Sequence, residues 1–166
     1  VEHRKPAKRR AEIPLDVLRA LSAGHIQTAN LVEWLALDQT YLLQQALEEQ
    51  LHGAEGQVLL DLLAASPLLS VNAKMRTIGH WLGQHLANQD LHALAKHPSD
   101  MVRGWVAYAW MEKCQKTDFL TMLHYLKPLA NDPHFSVREV AWMAIRPYIL
   151  NDTLLALEAL TPWAKS

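Results

Sequence analysis

The residues best placed to do chemistry fall in one stretch of the chain, VREVAWMAIR, positions 137–146. Read as part of a helix over 136–149, it spaces Glu139, Trp142 and Arg146 at i, i+3 and i+7. Arg138, Trp142 and Arg146 follow at i, i+4 and i+8. These intervals put an acid, an indole ring and two guanidinium groups along one side of one helix. Trp142 can then stack on or brace a nucleotide while Glu139 faces its sugar, and Arg138 and Arg146 can hold phosphates. The plainer reading makes Arg138 and Glu139 solvated charges, worth ~0–1 kcal/mol in surface ion pairs, and Trp142 a core residue.

Other constellations carry less. Arg103 is a second candidate phosphate contact, or else a structural bond to nearby helix ends. Asp100 reads as a helix cap rather than a catalytic acid. The histidine pairs His80/His85 and His92/His97 stand at i, i+5, which does not put two rings on one helical face for a metal, so no metal site is expected. Cys114, flanked by Lys113 and Lys116, reads as an inert thiol. The chain has no Gly-rich phosphate loop and no Gly-x-Ser-x-Gly elbow, and no cofactor is expected.

The elements that must position these residues are helices. There is no sustained apolar/polar alternation and no Asn-Gly or Asp-Gly turn. Pro14 opens a helix that stops at Gly24, Thr28 is placed to cap 29–37, and Asp38 to cap 39–51. Further helices are expected over 54–65, 71–87, 90–96, 100–114, 118–130, 136–149 and 152–164, punctuated by Pro67, His97-Pro98, Lys116-Thr117 and Asp132-Pro133.

An internal repeat organises them. LHALAKHPSDMVRGWVAYAW (91–110) matches LKPLANDPHFSVREVAWMAI (126–145) at a shift of 35, pairing Leu94 with Leu129, Pro98 with Pro133, Val102 with Val137 and Arg103 with Arg138. A weaker copy lies upstream, where Leu63-Ala64, Pro67 and Val71 precede Asn72 in the place of the arginine. Trp142 matches Ala107, and this change of size between copies favours a role beyond packing. The tail LTPWA (160–164) begins another copy. A first helix ending in a Pro turn and a second starting with Val-Arg is the pattern of an α-solenoid, an all-α superhelix of antiparallel helix pairs. Because a solenoid end needs a polar cap and Trp163 is not one, the array is expected to be a shortened form.

HPSDMVRGWVAYAW (97–110), NDPHFSVREVAWMAIRPYI (131–149), LTPW (160–163), RRAEIPLDVLRAL (9–21) and NLVEWLALD (30–38) together resemble the AlkC-like branch of the HEAT-like DNA alkylation repair proteins. The resemblance implies a solenoid cradling duplex DNA and a glycosylase that removes bases alkylated on ring nitrogens. It also implies a further carboxyl-terminal repeat. An alkylated purine already carries positive charge, so the chemistry reduces to stabilising an oxocarbenium-like sugar and admitting a water, with Glu139 and Trp142 as catalytic pair. Arg103, Arg138 and Arg146 are then the DNA-binding set. A non-catalytic DNA-binding repeat protein and a protein-interaction scaffold remain as alternatives.

Composition sets the frame for all of this. Of 166 residues half are apolar, with one cysteine and a net charge of −1, so one ordinary domain, a monomer, is expected. A single cysteine fits a reducing cytoplasm. No apolar run approaches the ~18 residues of a membrane span, and the amino end has no apolar signal-peptide core. The near-neutral total conceals segregation: five bases against one acid in 1–10, one against eight in 11–73, ten against eight in 74–166. The expected layout is a flexible basic arm over 1–10 and a domain over 11–166. That domain comprises amino-terminal helices (11–53), repeats at 54–87, 90–114 and 118–149, and the start of another at 152–166.

Overall fold

The computed structural model describes residues 4–66 and 68–165. Residues 1–3 of the basic arm, Pro67 of the first turn and Ser166 lie outside them. The described chain is helical throughout, without a strand. Ten α-helices follow one another: α1 Leu15–Ser22, α2 Leu31–Ala36, α3 Gln39–Ala46, α4 Ala54–Ala65, α5 Val71–His85, α6 Asn88–Leu94, α7 Asp100–Cys114, α8 Phe119–Ala130, α9 Phe135–Asn151 and α10 Thr153–Leu160. Short 3-10 turns stand at Arg10–Glu12 and Thr161–Lys165.

Side-chain caps start many of these helices, each satisfying an amide that has no partner in the first turn. Ser70 accepts from Ala73 N, Asp118 from Thr121 N, and Asp152 from Leu155 N. Asp38 caps α3 as expected, but α3 ends at Ala46 because Leu47, at φ −136° and ψ 30°, leaves helical geometry. Thr28 is not a cap. Asn30 takes that place, accepting from Glu33 N, and α2 starts two residues later than expected. Conversely, α9 runs past Pro147 to Asn151, the proline removing one hydrogen bond without ending the helix.

α7 is the centre of the molecule, with nearly every side chain buried. α5 packs along one side and α9 along another, α6 and α8 also lie on α7, and α8 packs on α9. The outer elements hold fewer neighbours: α4 rests on α5, and α10 on α9 and α8. The close approach of α5 to α7 depends on glycine. A Cβ at Gly79 would lie 2.8 Å from Trp105 O, and one at Gly83 2.6 Å from Ala109 O. Trp105, fully buried, donates from Nε1 to Gln39 Oε1 at 3.1 Å, and Gln39 Nε2 donates to Val71 O at 2.9 Å. One amide thereby ties α3 to both central helices and leaves neither polar group stranded.

The described part of the basic arm touches the body at Arg4 and Ala7, while Lys5, Lys8, Arg9 and Arg10 are exposed. Arg4 grips the buried Glu33 carboxylate, Nη2 lying 2.6 Å from Oε2, and donates to Gln27 O at 3.0 Å. Asn30 Nδ2 donates to Ala7 O at 2.7 Å. A buried carboxylate needs an opposite charge, and Arg4 supplies it.

Candidate nucleic-acid interface

The repeated arginines share one local task. Arg103 Nη1 donates to His97 O at 2.7 Å and Pro98 O at 3.1 Å, while Arg138 Nη1 donates to Asp132 O at 2.7 Å and Pro133 O at 2.9 Å. In both copies the guanidinium reaches back six and five residues to clasp the Pro turn that precedes its helix. This is the physical content of the Val-Arg repeat.

Their outer edges differ. Arg103 Nε and Nη2 face Asp132 Oδ2 and Oδ1 at 2.8 and 3.1 Å, a bidentate pair with both side chains 8% exposed. Nη2 also donates to Gln27 Oε1 at 3.2 Å. Arg103 therefore joins one turn to the next, the structural bond to nearby helix ends that the sequence also allowed for it. Arg138 is exposed, and among the described residues no carboxylate meets its outer edge.

Asp100 corrects a second expectation. It does not cap α7. Its buried carboxylate accepts from Thr28 N at 2.8 Å, Thr28 Oγ1 at 2.8 Å and Ser136 Oγ at 2.7 Å. His134 completes the network: Nε2–H donates to Thr28 O at 2.7 Å, and Nδ1 lies 2.8 Å from Ser136 Oγ. The loop at 27–28 is thus pinned to the starts of α7 and α9. Beside it, burial and then the charge of Arg103 push His97 below its ordinary value, in keeping with Nδ1 accepting from Ser99 N at 3.1 Å.

The remaining candidates sit on the exposed side of α9, divided between two flanks. On one flank Glu139 and Met143, at i and i+4, line a cleft of about 200 Å³ with Trp34 and Leu35 of α2, Asn72 of α5 and Phe135 at the start of α9. Arg146, one turn further along, is exposed and has no ion-pair partner among the described residues. On the other flank Trp142, 40% exposed, is not among the residues that line the cleft. Its ring meets Trp163 edge-on, centroids 5.9 Å apart, and Lys127 Nζ lies 5.8 Å from the Trp163 ring. The rings that line the cleft with Glu139 are Phe135 and Trp34. Sequence reasoning missed Trp34 and Asn72, which reach the cleft only through tertiary packing. Phe135 stood one residue before the expected helix start.

Cys114 is buried, and that burial pushes its thiol up. Among the described residues no group of three or more His, Cys, Asp or Glu side chains gathers to hold a metal, and no helix is long and apolar enough to cross a membrane. No family model, curated protein or solved structure matches the chain.

Proposed function

We propose that the chain is a DNA-binding helical-repeat protein that hydrolyses the N-glycosidic bond of alkylated purines in duplex DNA. The supporting observation is the cleft, where a carboxylate, Glu139, stands beside aromatic and apolar side chains on an exposed helix face. At about 200 Å³ it is smaller than the roughly 300–1,000 Å³ of ordinary ligand pockets, so it suits one ring system rather than a whole nucleotide. A cationic alkylated base fits such a lining through its flat face and its charge.

In this reading the stacked pairs α4/α5, α6/α7 and α8/α9 are HEAT-like repeats of an α-solenoid, with α5, α7 and α9 forming one layer. Glu139 stabilises the positive sugar that develops as the base departs and orients the attacking water. Arg146 holds a phosphate within reach of the cleft, and the amino ends of α5 and α9 add partial positive charge. The cytoplasm is the expected setting.

Release of methylated purines from alkylated DNA tests the reaction. Glu139→Gln is expected to lower the rate by about 10²–10³-fold, the scale seen when one transition-state electrostatic partner is removed. Absence of release by the unmodified chain refutes hydrolysis. Duplex binding is expected to fall steeply with salt, and Arg146→Ala to reduce the log–log slope by about 1. One observation favours a protein-interaction scaffold instead: Leu31, Leu35 and Phe135 are exposed around the cleft. A flat salt response would select that reading.

A further inference from the structure

Both α5 and α9 border the cleft, and the exposed side of α5 carries a charge that the chemistry of Glu139 leaves unused. Asn72 lines the cleft, and Arg76 and His80 follow it at i+4 and i+8, so all three stand on one side of α5. The helix holds Lys74, Arg76, His80 and His85 and no Asp or Glu. Arg76 is exposed and enters none of the ion pairs among the described residues. Its guanidinium lies beside Tyr108 of α7, a ring 6% exposed. Burial pushes the Tyr108 hydroxyl up, and the charge and hydrogen bond of Arg76 act against that rise. His80 is committed elsewhere. Its Nδ1 lies 2.6 Å from Glu112 Oε2, and the same carboxylate accepts from Gln84 Nε2 at 2.9 Å and Gln115 Nε2 at 3.1 Å.

The packing of the three helices places Arg76 relative to the cleft. A Cβ at Gly79 would meet Trp105 and Tyr108, and one at Gly83 would meet Ala109 and Glu112, so α5 and α7 run parallel. A Cβ at Gly104 would meet Met75 from α5 and Val140 from α9. Further along, Tyr148 Oη lies 3.4 Å from Met111 O, so α9 is parallel to α7 as well. Met75, Gly104 and Val140 are therefore level, and Arg76 stands level with Glu139, with α7 between them. Arg146 comes six residues after Val140, about 9 Å along the helix at 1.5 Å per residue. The axes of α5 and α9, one on each flank of α7, are up to two helix spacings of about 8–10 Å apart, so the two arginines root roughly 15–20 Å from each other.

Resting on the DNA-binding reading above, we propose that Arg76 is the phosphate contact on the α5 side of the cleft. The backbone of the strand whose base enters the cleft is then held on both walls, by Arg76 on α5 and by Arg146 on α9. Each arginine shares a helix side with a residue that lines the cleft, Arg76 with Asn72 and Arg146 with Glu139, so both face the ligand. Their separation is several times the ~3.4 Å axial spacing of phosphates on one strand, so they hold different phosphates. A guanidinium fork suits a phosphodiester, and Tyr108 holds the Arg76 fork in place before the ligand arrives.

Binding of the full chain to an unmodified duplex, followed by fluorescence anisotropy between about 50 and 200 mM salt, tests this. Arg76→Gln should lower the log–log slope by about 1 with an unchanged thermal midpoint, and Arg76→Lys should keep the slope. Arg76→Gln combined with Arg146→Ala should lower it by about 2, because contacts this far apart add. Lys96→Gln, at an exposed position outside the cleft lining, should leave it unchanged. A slope unmoved by Arg76→Gln but lowered by Arg146→Ala overturns this inference and leaves the DNA reading standing. An equal fall for Lys96→Gln also overturns it, since net charge alone then accounts for the effect. Polyglutamate that displaces the labelled duplex as well as unlabelled duplex of equal charge would overturn it in favour of an acidic protein partner. No binding of duplex by the unmodified chain removes both readings.

Discussion

The two arginines of the repeat offer a controlled comparison, because they share a sequence position and a local bond but not a depth. Arg103→Ala removes one member of a buried ion pair and strands Asp132, which is 8% exposed and otherwise accepts only from His134 N among these bonds. Losing one partner of a buried pair typically costs about 3–5 kcal/mol, because the remaining charge is left uncompensated. Arg138→Ala removes two bonds to turn carbonyls at the surface, worth about 1 kcal/mol together once water replaces the donor. For a domain of this size each kcal/mol shifts Tm by roughly 2–4 °C. Thermal unfolding followed by far-UV circular dichroism should then show a loss of about 6–20 °C for Arg103→Ala and about 2–4 °C for Arg138→Ala. A double-mutant cycle with Asp132→Ala should return a coupling of at least about 1 kcal/mol for Arg103. Equal losses at the two positions would refute the reasoning. So would an Arg103→Ala variant of unchanged stability and weakened DNA binding, since that is the behaviour of a phosphate contact.

Two further outcomes are expected. His97 is held below its ordinary value of 6.5 by burial and by Arg103, so the folded state binds fewer protons than the unfolded state just below that pH. Its contribution to stability is full above about pH 6.5 and is lost as pH falls toward its folded value, so His97→Gln should flatten this part of a urea-midpoint profile. An unchanged pH dependence would count first against the burial of His97 as the cause of its lowered value. Burial that raises the Cys114 thiol predicts slow native labelling by a maleimide and rapid labelling once urea unfolds the chain; fast labelling of the native protein would contradict it.

What the sequence revealed follows the reach of each interaction. Helix existence and the arginine repeat were legible because caps, Pro turns and the clasp at six and five residues are local. The start and end of α7 come out at 100 and 114, as the Pro98 turn and the Lys116-Thr117 break suggest. Thr28 shows the limit. A threonine before an apolar run has the look of an N-cap, but its partner Asp100 lies 72 positions away and competes successfully for the hydroxyl. Trp142 shows another. Helical spacing placed it on the exposed side of α9, yet could not tell which flank turns toward α2 and which toward Trp163.

The repeat itself explains why one sequence signal stands for different roles. Each Val-Arg start supplies the same bond to its own turn, and that bond alone is enough to account for the recurrence of the arginine. What the other edge of the guanidinium meets is decided by the next unit. Arg103 finds Asp132 and becomes part of the interior; Arg138 finds no described carboxylate and remains at the surface. Asn72, in the corresponding place of the upstream copy, has no guanidinium and lines the cleft instead. A recurring residue in a repeat protein therefore reports the bond that every copy makes. Binding roles belong to the atoms of that residue which the stacking of neighbours leaves unused.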